Sequence, residues 1–367
     1  MSNYLKSAVT ALAMAASVLT CSAQGARGAA PLKSTVVNPD GTVTFNYRND
    51  NASDVKVDVQ FAGRHDMHRG GDGVWTVTLG PAEPDMYPYC FIVDGVSVMD
   101  PLNPDWFPNE GFKNSILDIR GDTPLIHSAQ DVPHGAVDYV TYWSQTLGLF
   151  ANAIVYTPAG YDSHPEKNYP VFYLISGTTD TEEVYFKVGR VNFILDNLIA
   201  AGQAEEMIVV LPYGNPSKYY PAGTDLRGRG DMFSADLIDD LMPYVEKNYR
   251  TIADRDHRAI GGFSRGGNQA LANGLRNLDK FSWLCSYSSF TTMDLPAYDD
   301  PDINELVNLF WLGVGTDDFL YADAKDYMDF LDSKGIENVK VFTDDKFGHT
   351  WMNARYFLDK SLRLLFK

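Results

Sequence analysis

AIGGFSRGGNQA, residues 259–270, joins an apolar run (HRAIG) to a helical pattern (GNQALANGLRNL) through a serine bracketed by glycines. Gly262-Phe263-Ser264-Arg265-Gly266 matches G-x-S-x-G, and its position is what makes the match informative. A serine between a strand and a helix sits on a turn too tight for side chains at the flanking positions, and glycine relieves that crowding. Its Oγ then stands above the sheet beside a helix N-terminus, whose dipole favours a developing anion. Ser264 is therefore expected to be a nucleophile, against the plainer reading of a glycine-rich structural turn.

The surrounding chain has the grammar such a turn needs. NAIVYTP, PVFYLIS, EMIVVLP, WLCSYSS, LFWLGVG and VKVFTDD are short apolar runs rich in β-branched and aromatic residues. Between them lie helical patterns such as RVNFILDNLIAAG, FSADLIDDLMPYVEKNY and ADAKDYMDFLDSKG. This alternation predicts an α/β domain over residues 141–367, a mostly parallel sheet covered by helices on both faces. Reactive groups then belong on loops beyond the strand C-termini. From 36 to 119 the pattern is different: GTVTFNYRN, DVKVDVQF, DGVWTVTLG and YPYCFIVDG alternate without helical period and are broken by Asp-Gly turns. That predicts a small immunoglobulin-like β-sandwich. Residues 120–140, punctuated by Pro and Gly, are expected to be the linker.

At 367 residues the chain can bury one large core or two unequal ones, and a hydrophobic content of 45% argues against disorder. The formal net charge of -18 argues against nucleic acid or an anionic membrane as partner. The start, MSNYLKSAVTALAMAASVLTCSAQG, has Lys6, an apolar run from Ala8 to Leu19 and then small residues, the layout of an export signal over 1–23. The expected location is periplasmic or extracellular. Lipid attachment at Cys21 is the competing reading, to which Thr20 is a poor fit. No later segment reaches the roughly 18 apolar residues of a membrane helix. Cys90 and Cys285 fall in different expected domains and are read as buried thiols. Trp75, Trp106 and Phe107 are read as packing residues before a sugar-stacking platform.

The nucleophile hypothesis makes a demand on chain order, because this arrangement supplies Ser, then acid, then His. Of the seven histidines only His349 follows Ser264, in FGHTW, just past the strand VKVFTDD. The acid should follow a strand between them, and GVGTDDFLY offers Asp317 and Asp318; Asp318 is the choice. His349 would take the Ser264 proton during attack on an acyl carbon, and Asp318 would hold the imidazole. The tetrahedral oxyanion needs backbone N–H donors: one from Arg265, another from Gly177 or Thr178 in the loop after PVFYLIS.

These motifs carry a resemblance. VYTPAGYDSHPEKNYPVFYLISGTTDTEE, RAIGGFSRGG, GVGTDDFLY and FGHTW resemble the esterase D-like group of α/β-hydrolases, which holds the feruloyl and acetylxylan esterases of carbohydrate esterase family 1. DGVWTVTLGPAEPDMYPYCFIVDGVSVMDPLNP resembles the early-set module of isoamylases, a starch-binding-module relative. The resemblance implies an α/β-hydrolase fold preceded by that sandwich. It implies an exported serine esterase acting on feruloyl, or acetyl, groups of plant xylan or its oligosaccharides, with no cofactor and no metal. The alternatives are an enterochelin-type siderophore esterase and a catalytically silent carbohydrate-binding protein. Two positions depart from the family pattern: Ser176 stands where His precedes the oxyanion glycine, and Arg265 where Met follows the nucleophile. The Arg265 side chain is expected to pair with a nearby Asp or, failing that, to meet an acidic or phenolic acyl group. The segment 213–233 is expected to overhang the site, with Tyr219 and Tyr220 in it and Trp351 as candidate substrate contacts.

Overall fold

The computed structural model describes residues 31–344 and 347–367; the expected export signal, Cys21 included, lies outside the described residues. Nine strands build the N-terminal part: β1 Thr35–Val37, β2 Val43–Arg48, β3 Val55–Val59, β4 Gly63–Asp66, β5 His68–Arg69, β6 Val74–Leu79, β7 Met86–Val93, β8 Val96–Val98 and β9 Ser115–Asp118. They form two sheets, β1-β2-β6-β5 and β4-β3-β7-β8, with β9 also paired to β7. The alternation read from the sequence places their side chains: Val55, Val57 and Val59 are buried, while Lys56 and Asp58 lie on the other face. Val43 and Phe45 from one sheet meet Tyr89 and Phe91 from the other in a shared core, so the two sheets make a β-sandwich.

Eight further strands follow: β10 Ala136–Ser144, β11 Leu149–Thr157, β12 Val171–Ile175, β13 Ile208–Pro212, β14 Arg258–Phe263, β15 Trp283–Tyr287, β16 Leu309–Gly315 and β17 Val339–Thr343. Their order is β10-β11-β13-β12-β14-β15-β16-β17. The pairings of β10 with β11 and of β11 with β13 are antiparallel; those from β13 to β17 are parallel. Strands β12 and β14 are buried along their whole length, as strands covered on both faces must be. Helices Arg265–Arg276 and Tyr321–Ser333 seal one face through Leu271, Leu275, Tyr327 and Leu331. Helices Val191–Ala200 and Trp351–Leu362 seal the other through Ile194, Leu195, Phe357 and Leu358. This is the α/β-hydrolase fold.

The connection between the two parts differs from a free linker. Strand β10 begins at Ala136, inside the 120–140 segment, because AVDYVTYWS pairs along its full length with β11. Upstream of it, Asn197 Nδ2 donates to the carbonyls of Ile126 and Ser128, and Asp196 accepts the Gly135 N–H at 3.0 Å. The sandwich and the hydrolase also share a seam. Met352 packs in the sandwich core, whereas Met86, Phe107 and Ile116 pack in the hydrolase core. Within the seam Arg355, 2% exposed, pairs with Asp85 and donates to the Val188 carbonyl at 2.9 Å.

Candidate active site

Strand β14 ends at Phe263 and the next helix begins at Arg265, leaving Ser264 alone to make the turn at φ 57°, ψ -125°. A non-glycine residue there is strained, and it is held by its N–H bond to the Tyr287 carbonyl at 2.9 Å and by the Gly267 N–H on its own carbonyl at 2.9 Å. The glycines are sterically required. A Cβ on Gly266 would lie 2.1 Å from the Ile175 carbonyl oxygen, and one on Gly262 would lie 2.3 Å from the Gly266 carbonyl carbon. A Cβ on Gly267 would lie 2.7 Å from Ser289 Cβ, so that glycine lets the helix lie close to β15's trailing loop.

Past β16, Asp318 is 4% exposed, whereas Asp317 faces solvent. His349 Nδ1 is 2.9 and 3.0 Å from the two Asp318 carboxylate oxygens, so it carries the proton of that bond and Nε2 is the basic nitrogen. Burial pushes the Asp318 carboxyl up, but the His349 bond, the Leu320 N–H and the charge of His349 outweigh it, and the group stays below the usual carboxylate range. The imidazole lies between Phe263, stacked at 4.7 Å, and Phe319, tilted at 4.5 Å. Asn353 Nδ2 holds the carbonyl of Gly348 at 2.7 Å and so fixes the loop that presents the ring.

The loop after β12 approaches the serine: a Cβ on Gly177 would lie 3.6 Å from Ser264 Cβ and 3.0 Å from Asp180 Oδ2. The Arg265 guanidinium is not paired with an Asp among the described residues. It donates to the carbonyls of Gly214 at 2.7 Å and Gly177 at 2.9 Å and to the Asn215 side chain, because the loops after β12 and β13 bring these acceptors against it. It therefore braces two loops and is not directed at an acyl group. In a trans peptide the N–H opposes the preceding carbonyl, so fixing the Gly177 carbonyl on Arg265 turns the Thr178 N–H the other way. The Asp180 N–H donates to the same Gly177 carbonyl at 3.4 Å. Ser176 is buried, with its hydroxyl on the Asp180 carbonyl at 3.4 Å.

Ser264, His349, Gly177, Thr178 and Trp351 line one cavity of about 590 Å³. Asp318 stands behind His349. Trp351 is nearly buried, edge-on to Tyr185 at 4.7 Å, and forms part of the wall. Tyr219 and Tyr220 are elsewhere, and no residue of 213–233 lines this cavity. The Tyr219 hydroxyl accepts the Asn152 N–H of β11 at 3.0 Å, and the Tyr220 hydroxyl donates to the Leu147 carbonyl. Both rings are consumed in closing the β10–β11 hairpin, so the expected substrate contacts are corrected to structural ones. The cavity wall that the sequence did not announce comes from three sources. Asp58, Gln60 and Cys90 present the outer face of the sandwich, and Phe107 and Phe112 come from its β8–β9 connection. Phe319, 75% exposed, overhangs His349. Asp180 also lines the cavity; burial raises its carboxyl to about 6, against lowering by Asn109, the Gly177 N–H and the charges of Arg265 and His349. Trp75 is buried in the sandwich core and Trp106 lies under Lys187, so neither forms an open platform.

A strained serine at a strand-to-helix turn, over a cavity shared with an Asp-backed histidine, defines the serine-hydrolase class of the α/β-hydrolase fold. The Esterase family model ("Putative esterase") matches residues 144–345, and the chain belongs to that family, whose members are carboxylic ester hydrolases. An endo-1,4-beta-xylanase/feruloyl esterase of Xylanibacter ruminicola is 29% identical over 340 residues, 90% of this chain and 46% of that protein. The chain thus spans about half or less of the length of the first curated relatives it matches. Among solved structures, a ferulic acid esterase is 27% identical with a TM-score of 0.56, over 63% of this chain and 98% of that one. An enterobactin esterase from Shigella flexneri shares the fold at 18% identity, with a TM-score of 0.64 over 88% of this chain and 92% of that one.

Proposed function

We propose that the chain is an exported serine esterase that removes feruloyl groups, and secondarily acetyl groups, from plant cell-wall xylan or its oligosaccharides. The observation that carries the reading is the positive φ of Ser264 on the floor of a cavity also lined by His349, whose Nδ1 is held by buried Asp318. In this reading His349 Nε2 accepts the Ser264 proton as Oγ attacks the ester carbonyl. The backbone N–H groups of Arg265 and Thr178 bind the oxyanion; Thr178 is preferred to Gly177 because the Gly177 carbonyl, held on Arg265, turns the Thr178 N–H away from that guanidinium. The tetrahedral intermediate collapses, His349 protonates the leaving alcohol, and water then hydrolyses the acyl-enzyme by the same route in reverse. Asp318 keeps the imidazole in the required tautomer and stabilises the imidazolium.

The aromatic wall of Phe107, Phe112 and Phe319 suits a flat phenolic acyl group, and the polar Asp58 and Gln60 suit a sugar alcohol. The proposed organisation is a signal over 1–23, a sandwich over 36–119, a connection over 120–140 and an esterase over 141–367. A siderophore esterase is the second reading, favoured by the extent of the Shigella flexneri fold match. The feruloyl reading is preferred because its bifunctional relative aligns over 340 residues, the sandwich region included.

The test is hydrolysis of methyl ferulate, p-nitrophenyl acetate, a feruloylated arabinoxylan oligosaccharide and a dihydroxybenzoyl-serine trilactone by wild type and Ser264→Ala. Ferulate release that vanishes in the alanine variant is expected. Preference for the trilactone would move the substrate to the second reading, and undiminished activity in Ser264→Ala would remove the nucleophile assignment.

A further inference from the structure

We propose that Asn109, on the sandwich side of the seam, is a positioning residue for the esterase's oxyanion loop. The inference rests on the reading of Ser264 as nucleophile and of Thr178 as an oxyanion donor, and adds to it a part supplied by the N-terminal half.

The segment around Asn109 runs antiparallel to the loop after β12, with Asn109 opposite Asp180. Backbone bonds flank that pair on both sides: the Glu110 N–H donates to the Thr179 carbonyl at 2.7 Å, and the Thr181 N–H donates to the Pro108 carbonyl at 3.2 Å. Between them Asn109 Nδ2 donates to Asp180 Oδ1 at 2.8 Å, with both side chains buried. The amide orientation is determined, because its Oδ1 accepts the N–H groups of Gly111 at 2.7 Å and Phe112 at 3.1 Å. Thr179 at the centre of this contact has φ 69°, a conformation that a residue with a side chain keeps only when its neighbours impose it.

The contact closes a ring. Asn109 holds the Asp180 carboxylate, the Asp180 N–H donates to the Gly177 carbonyl at 3.4 Å, and Arg265 holds the same carbonyl from the other side. Arg265 also binds the Asn215 amide oxygen, and the Asn215 Nδ2 donates to the Glu110 carboxylate at 3.4 Å, one residue from Asn109. The Gly177–Thr178 peptide is thereby gripped at its carbonyl from both sides of the ring, by Arg265 and by the Asp180 N–H. The direction of the Thr178 N–H follows from both. Removing the Asn109 arm leaves Asp180 buried with one fewer donor, and the loop loses the constraint that faces the cavity.

The experiment compares kcat and KM for p-nitrophenyl acetate among wild type, Asn109→Ala and Asn109→Asp, using folded protein checked by thermal melts. For Asn109→Ala, kcat should fall roughly 10–100-fold with KM within threefold, a part of the 10²–10³ that loss of a whole oxyanion donor costs. Asn109→Asp places a second carboxyl on Asp180. The two repel when ionised and share a proton when one is not. Its kcat relative to wild type should therefore rise between pH 8 and pH 5.5, a change that lost packing does not produce. Arg265, His349, Glu110 and Lys113, whose Nζ donates to the Asn109 carbonyl at 2.7 Å, are the charged groups around this pair, and they are the same in variant and wild type. A kcat for Asn109→Ala within threefold of wild type, or a flat pH ratio for Asn109→Asp, overturns the proposal. Labelling of Ser264 by a fluorophosphonate separates the two claims. Wild type that does not label sinks the nucleophile reading, whereas labelled wild type with an unaffected Asn109→Ala sinks only the positioning role.

Discussion

Replacing Asp180 with asparagine should make the protein's stability less sensitive to pH in a defined window. The carboxyl is 6% exposed and its value is raised to about 6 from 3.8, with burial as the first cause. A raised carboxyl means that the folded state binds the proton more tightly than the unfolded state does. The folded protein then loses stability as pH climbs from the unfolded value through the folded one. The shift of about 2 pKa units corresponds to about 3 kcal/mol at 1.36 kcal/mol per unit, all of it developed above pH 7. Asparagine does not titrate, so the difference in stability between Asp180→Asn and wild type should move in the variant's favour by that amount between pH 4 and pH 8. In a melting experiment this is a relative gain of roughly 4 °C. The absolute melting temperature of the variant is not the readout, since the amide replaces a carboxylate oxygen that can accept with a nitrogen that cannot, beside the Asn109 donor. The assay is differential scanning calorimetry of both proteins at half-unit pH steps. A difference that stays flat from pH 4 to pH 8, or that moves in wild type's favour, would refute the burial argument.

Other outcomes are fixed by the same geometry. Asp318→Asn should lower kcat by about 10²–10⁴-fold while Asp317→Asn stays within twofold, measured on p-nitrophenyl acetate, because only Asp318 reaches the His349 ring. Phe319→Ala should raise KM for methyl ferulate about fivefold or more, with little change for the acetyl ester, since an exposed ring over His349 has more to cover with an aromatic acyl group. In the seam, Asp85→Ala should destabilise by about 3–5 kcal/mol by stranding a buried guanidinium, and Asp85→Ala with Arg355→Leu should recover much of that loss in denaturant melts.

Much of the site was legible because its demands are local or ordinal. Gly262 and Gly266 announce a turn whose Cβ positions are blocked by backbone, and a single histidine follows Ser264. The acid is narrowed to Asp317 and Asp318 because both stand just past an apolar strand; which of them is buried is decided by the fold. The parts that escaped are those whose partners are remote in sequence. Tyr219 and Tyr220 look like loop aromatics over a cleft, yet their hydroxyls answer backbone groups of β11 and its hairpin some seventy positions upstream. Arg265 invites a carboxylate partner, but carbonyls of two neighbouring loops reach it first. Asp180 reads as one acidic residue in a polar run, TTDTEE, and becomes notable only when Asn109 closes over it. The sandwich strands were visible in their alternation, but the polar outer face of β3 reads as solvent-facing in any sandwich. Nothing in its period says that it walls a cavity.

The seam has an evolutionary consequence. Modular enzymes are assembled by recombination, and a module can be exchanged freely only when its neighbour functions without it. Here Arg355 relies on Asp85, Met352 fills the other half's core, and residues of both halves wall the same cavity. A crossover falling in the 120–140 connection would separate groups that depend on each other. The heritable unit is accordingly the pair. Substitutions along β3 or near Asn109 and in the loop after β12 should be selected jointly, so new substrate preferences in such a chain can arise from changes in a half that holds no reacting group.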